Sequence, residues 1–247
     1  MAAFALLIPL TLLVASLVAH AEPVHAETPP ASEGGADSEP FSALLTLGYE
    51  TTYLFRGVAV GDHAPWASVD LAYAPFEDFS FRIGALFMNP TQGHRDADEL
   101  DLYALATGDF GAFAISLAAM WFHFTERGTN AEEVGIVVVR SFDSLDLSAG
   151  YFYDLTIEGH YFETALAHTL ELTQQLRLRT SAGVSFARDY YGVSGGDHVS
   201  ASATLSRALT EALTLEAYLA LNLPFDDRNR LGERERVHGG LRASVAF

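Results

Sequence analysis

From residue 41 to residue 247 apolar and polar side chains alternate with a period of two, over stretches that are long for a strand protein. In the final stretch Val237, Leu241, Ala243, Val245 and Phe247 alternate with Arg236, His238, Arg242 and Ser244. Over 211–223, Leu213, Leu215, Ala217, Leu219, Leu221 and Leu223 alternate with Thr214, Glu216, Tyr218 and Asn222. Period two puts successive side chains on opposite faces of a strand. Read this way, the region divides into twelve segments, roughly 42–56, 66–75, 78–89, 99–108, 112–124, 132–141, 144–155, 159–171, 174–187, 197–208, 211–223 and 235–247. Each has about 10–15 residues. Globular strands average about five or six residues, whereas a strand tilted across a bilayer needs about 9–11. The expected fold is therefore all-β: an antiparallel up-and-down transmembrane β-barrel of about 12 strands.

The connections agree. Phe76-Glu77, Asp109-Phe110-Gly111, Phe142-Asp143, Leu172-Thr173 and Leu209-Thr210 read as short turns, alternating with longer polar loops at 57–65, 90–98, 125–131, 188–196 and 224–234; the connection at 156–158 is shorter. Short turns on one side and long loops on the other describe an outer-membrane barrel, and an even strand count puts both chain ends on the short-turn, periplasmic side. Within the barrel region Pro occurs only at 65, 75, 90 and 224, each at the edge of a segment, as the missing N–H of proline requires. Aromatic residues gather at segment ends. Tyr53, Phe55, Phe87, Trp121, Tyr151, Tyr153, Phe162 and Phe186 form an expected outer band; Tyr73, Phe79, Phe81, Phe113 and Phe247 form an inner one. Two such bands are what interfacial girdles need.

Residues 3–19 are an apolar run followed by Ala19-His20-Ala21, with Val24-His25-Ala26 as a second cleavage candidate. No cation precedes the run, but its length and small-residue end read as a signal peptide over 1–21; the alternative is a single transmembrane anchor, for which about 17 residues is at the short edge. Residues 22–40 are rich in Pro, Glu, Ala and Ser without apolar periodicity, and read as an acidic disordered linker before a barrel domain of 41–247.

Charge narrows the function. The chain has 32 acidic residues against 14 basic ones, all Arg, a net −18. That argues against nucleic acid as a partner. With zero Cys, thiol catalysis and Cys-ligated metals are excluded. On the expected inward face lie six acids, Glu50, Asp70, Asp101, Asp146, Glu163 and Glu216, and six bases, Arg56, Arg82, Arg177, Arg179, Arg236 and Arg242. Charges of both signs suit a narrow hydrated pore; paired with each other, they would instead fill the interior. Arg56 reads either as a constriction charge or as a salt-bridge partner of a neighbour such as Asp70, with Gly57 serving the turn. Histidines 63, 94, 123, 160 and 198 lie near outer strand ends without a ligand spacing, so no metal or cofactor is expected. His198 with Ser200 is the nearest thing to a hydrolase pair, and it is also an ordinary polar strand face; no catalytic residue is assigned.

The opening strands contain Tyr53-Leu-Phe-Arg-Gly57, then a short loop, Pro65 and a second strand ending at Tyr73. This stretch resembles the start of the TorF family of porins. The resemblance implies a signal-bearing outer-membrane barrel and supplies no substrate. The expected function is passive diffusion of small hydrophilic solutes or ions across a bacterial outer membrane; the alternative is a closed barrel with a structural or surface-binding role. Expected partners are outer-membrane lipid and lipopolysaccharide, and the barrel-insertion machinery, which would read the last strand ending at Phe247.

Overall fold

The computed structural model describes residues 40–93 and 98–247; the expected signal peptide and nearly all of the linker lie outside them. Twelve long strands form one closed antiparallel sheet: β1 (Phe41–Phe55), β2 (Val58–Phe76), β3 (Phe79–Met88), β5 (Glu99–Asp109), β6 (Ala114–Phe124), β7 (Thr129–Phe142), β8 (Leu145–Asp154), β9 (Gly159–Thr173), β10 (Leu176–Tyr190), β11 (Val193–Ala208), β12 (Leu213–Pro224) and β13 (Arg236–Ala246). A two-residue strand, β4 (Gln92–Gly93), joins the edge of β2, and one five-residue helix, α1 (Asp226–Arg230), lies between β12 and β13. Each long strand pairs with its chain neighbours, and β1 pairs with β13 from Leu44↔Ala246 to Glu50↔Gly240, which closes the cylinder. Ala43 and Phe247 exchange N–H···O bonds, so both ends of the barrel domain lie at one rim, here the inner rim.

Alternation is what makes this cylinder stable in lipid. Its outer face carries Leu45, Leu47, Leu71, Ile83, Leu117, Leu166, Leu205, Leu219 and Leu241, each more than two-fifths exposed. So large an exposed apolar surface suits lipid rather than water. The inward residues of the same strands are Thr46, Glu50, Thr107, Ser116, Thr204, Ser206, Glu216 and Arg242, all buried. The girdle expectation holds in part: Phe87, Phe162 and Phe186 face outward, but Tyr53 is completely buried inside the barrel.

Two expected outer loops prove to be strand. β2 begins at Val58, not near residue 66, and β11 begins at Val193. The connections they replace, 57–65 and 188–196, shrink to the two-residue turns Arg56-Gly57 and Tyr191-Gly192. In both turns the two central residues have positive φ, 46° and 77° in one and 44° and 82° in the other. This is the signature of the type I′ hairpin turn, whose twist matches that of its strands. The strand start is masked because Val58, Ala59 and Val60 are all half-buried, so no alternation of exposed and buried residues marks it. Pro65 lies inside β2, where the neighbouring edge passes from β3 to the 89–93 segment. The 224–234 connection remains a true loop and holds α1.

Leu219→Arg, at mid-height on the lipid face of β12, is expected to destabilise the folded barrel by about 2–4 kcal/mol, while Ser202→Arg on the inward face costs much less. Urea unfolding of the protein in lipid vesicles measures both.

Candidate functional site: the barrel lumen

The lumen takes its shape from the β1–β2 hairpin. Pairing of β1 with β13 stops at Glu50, and pairing along the other edge of β2 begins at Gly61 with β4. Between these points the tip, residues 51–60, has no wall strand beside it among the described residues. A bulge between Tyr53 and Leu54 bends it, and both side chains are buried. Bulges sharpen local twist and redirect a strand; here the tip turns inward and crosses the barrel.

Arg56, at the end of the tip, shows how far it reaches. Its guanidinium pairs with Glu133 of β7, and its carbon Cζ lies 4.2 Å from the centroid of the Phe152 ring (β8), 4.3 Å from that of Tyr161 (β9) and 5.5 Å from that of Tyr190 (β10). In the sheet order β7 to β10 are diametrically opposite β1 and β2. Tyr190 Oη donates to the second oxygen of Glu133, Phe55 meets Phe122 edge-on at 5.3 Å, and Tyr53 Oη donates to Glu99 Oε2 at 2.9 Å. Gly57 packs so closely on His198 that a Cβ there would lie 2.5 Å from Nδ1. A desolvated cation–π contact is worth about 2 kcal/mol or more; the positive φ of Arg56 belongs to its type I′ turn.

A second brace comes from the β12–β13 loop. Arg228 of α1 is 2% exposed and binds Asp197 of β11 through both arms, Nε to Oδ1 at 3.0 Å and Nη2 to Oδ2 at 2.7 Å. Glu233 of the same loop accepts from the backbone N–H of Ala59 in the hairpin tip. At this level Met88, Glu99, Phe122, Glu133, Phe152, Tyr161, Tyr190, Asp197, His198, Asn222 and His238 are all buried, all the way round the wall. The outer lumen is therefore sealed in this conformation.

Below the seal the wall is different. On β8 to β11 the inward residues Asp146, Ser148, Glu163, Arg177, Arg179, Ser181, Ser200 and Ser202 are only half-buried. They make a polar, partly exposed stretch of inner wall, a vestibule running from Arg177 near the inner rim up to Glu163 and Ser200. Above it Tyr161, Ser185 and His198 are buried.

The twelve charged residues expected to face inward divide between these levels. Arg242 pairs with Glu216, which also accepts from Ser206 Oγ. Arg179 binds Asp146 at 2.9 Å and Thr169 at 3.0 Å, and Arg177 pairs with Glu171 at 2.9 Å. Glu50 accepts from Trp66 Nε1 and from Tyr218 Oη. Asp70 accepts from Tyr103 Oη, not from Arg56, whose partner is Glu133. Asp101 lies on β5 two residues from Glu99, both carboxyls pointing inward. Arg82 is buried on β3 and Arg236 half-buried at the outer end of β13. The sequence reading missed Glu99, Glu133, Asp154, Asp197 and Arg228, all buried. With them, buried carboxyls outnumber buried guanidiniums eight to four among the described residues, in place of an even split. On β7 the missed signal was hidden because Val137 and Val139 face inward while Val134 and Ile136 face outward, so both faces are apolar around Glu133.

His198 meets Ser185 and not Ser200. Ser185 Oγ at 2.8 Å and Asp197 Oδ1 at 2.9 Å both approach the same ring nitrogen, Nδ1. A hydrolase relay needs the nucleophile and the orienting acid on opposite nitrogens, so this trio braces the wall. His63 and His160 pair instead with Tyr49 and Tyr151, and His123 with Asn130; His94 lies outside the described residues.

No family model matches the chain, and no curated protein does. Among solved structures the fold is similar to the NanC porin (11% identity, 83% of this chain and 98% of that one, TM-score 0.52). It is also similar to the KdgM porin (9% identity, 83% and 99%, TM-score 0.55), a protein also solved in complex with disordered oligogalacturonate. A third is an outer-membrane channel from Pseudomonas putida F1 (12% identity, 90% and 100%, TM-score 0.55). The chain thus has the closed-barrel fold of outer-membrane porins, consistent with a place in the bacterial outer membrane.

Breaking one partner of a buried ion pair costs about 3–5 kcal/mol locally. Arg228→Ala is therefore expected to free the β12–β13 loop, making Arg230 and Arg234 markedly faster trypsin sites in the folded barrel than in the native protein; peptide mapping over time checks this.

Proposed function

We propose that the protein is a porin-like channel for small hydrophilic solutes or ions, held shut at its outer end in the conformation described here. The observation carrying this reading is a partly exposed polar vestibule, within a barrel of porin fold, ending against a seal made by a folded-in hairpin rather than by the wall itself. A hairpin tip with no wall strand beside it can leave the lumen without breaking the barrel. The eight-to-four excess of buried carboxyls favours cations over anions. It sets this lumen apart from one suited to a polyanion such as the oligogalacturonate bound by the KdgM porin. The twelve inward charges act here as the lining of the whole lumen, from Arg56 and Arg236 at the outer level to Arg177 at the inner rim.

A second reading rests on the sealed level itself: a closed barrel with a structural or surface-binding role. Single-channel recording separates the two. Refolded native protein is expected to give rare, brief steps with cation selectivity by reversal potential. Arg56→Ala removes the cation that holds the tip and is expected to raise the open fraction roughly tenfold or more, since loss of a charged hydrogen bond is worth about 1.5–3 kcal/mol. Folded protein with no steps in either form overturns the channel reading in favour of the closed barrel.

A further inference from the structure

The cage that holds Arg56 is built almost wholly by the wall, and its occupant arrives from the opposite side of the barrel. Phe152, Tyr161 and Tyr190 present their rings, and Glu133, fixed by Tyr190 Oη, presents a carboxylate. From this geometry we infer that Phe152, Tyr161, Tyr190 and Glu133 form a binding site for small organic cations, guanidinium or quaternary ammonium groups, and that Arg56 is its tethered occupant. An aromatic cage with one carboxylate recognises a diffuse cation through ring quadrupoles and a charge-assisted hydrogen bond.

Three observations favour exchange of the occupant. The Nε and Nη1 atoms of Arg56 are buried without a hydrogen-bond partner, so the cage does not saturate the group it holds. The tip that carries Arg56, residues 51–60, has no wall strand beside it among the described residues, so it can withdraw with its type I′ turn intact. The cage residues belong to β8, β9, β10 and β7: Phe152, Tyr161 and Glu133 sit in regular wall ladders, and Tyr190 pairs with Val193 at the β10–β11 turn past a bulge, so the site is built on the wall and persists when the tip departs. A free cation that takes the place of Arg56 releases the hairpin, so the ligand for the site is also the signal that opens the lumen. The link to opening rests on the channel reading; the binding does not.

The test uses the full barrel refolded in detergent or lipid, with guanidinium as probe and sodium at equal millimolar concentration as control. Arg56→Ala is expected to melt at a higher temperature in guanidinium than in sodium, because the vacated cage is filled again, while the native protein shows no such difference. Adding Glu133→Gln to Arg56→Ala is expected to weaken guanidinium binding roughly tenfold or more. Tetramethylammonium, which cannot donate to Glu133, is expected to bind more weakly than guanidinium. If Arg56→Ala does not refold, Arg56→Gln keeps the stem without the charge and serves the same comparison. Equal melting in the two salts, or stabilisation that survives Glu133→Gln undiminished, overturns the proposal. In bilayers, guanidinium is expected to raise the open fraction of the native protein severalfold. Stabilisation without conductance in any variant sinks the channel reading and keeps the site; conductance without stabilisation does the reverse.

Discussion

Lipid offers a peptide group no hydrogen-bond partner, so every strand that crosses it must be paired on both edges. In this protein the pairing of β1 with β13 meets that demand. The apolar outer face, the polar inner face and the common rim for both ends follow once the sheet is closed, because one alternation serves two solvents. The same closure creates an interior that twelve strands are too many to fill with wall side chains alone.

The β1–β2 hairpin fills what the wall leaves. Past Glu50 and Gly61 its tip has no wall strand beside it, and a two-residue turn ends it with a cation. A lone guanidinium in a low-dielectric interior is costly unless it is paired and covered. The lumen answers with a carboxylate and aromatic faces from four strands, and with a braced loop over the tip through Arg228 and Glu233. The closed outer lumen is thus one electrostatic arrangement with an aromatic jacket, while the vestibule below, lined by Asp146, Glu163, Arg177, Arg179 and serines, is partly exposed. The seal and the polar wall beneath it are two levels of one lumen.

The strand pattern was legible wherever one face meets lipid and the other a polar interior, as on β12 and β13. It failed in two informative places. Over 57–62 no residue of the hairpin is exposed on either face, so the lipid-driven alternation does not apply and the strand reads as a loop. On β7 both faces are apolar, one against lipid and one against packed side chains, and Glu133 vanished into a weak pattern. Asp70 is the candidate partner of Arg56 nearest in sequence; the actual partner, Glu133, is 77 residues away.

The sequence by itself determined that this chain makes a closed barrel: alternation of the right length, Pro kept mostly to strand edges and short turns on one side are local consequences of crossing a bilayer. Only the tertiary structure decided which end of the lumen is shut, which charges meet and that acids outnumber bases in the buried interior. Those outcomes depend on a hairpin crossing the barrel to the opposite wall. Contacts across a lumen join residues with no shared periodicity, and no pattern along the chain records them.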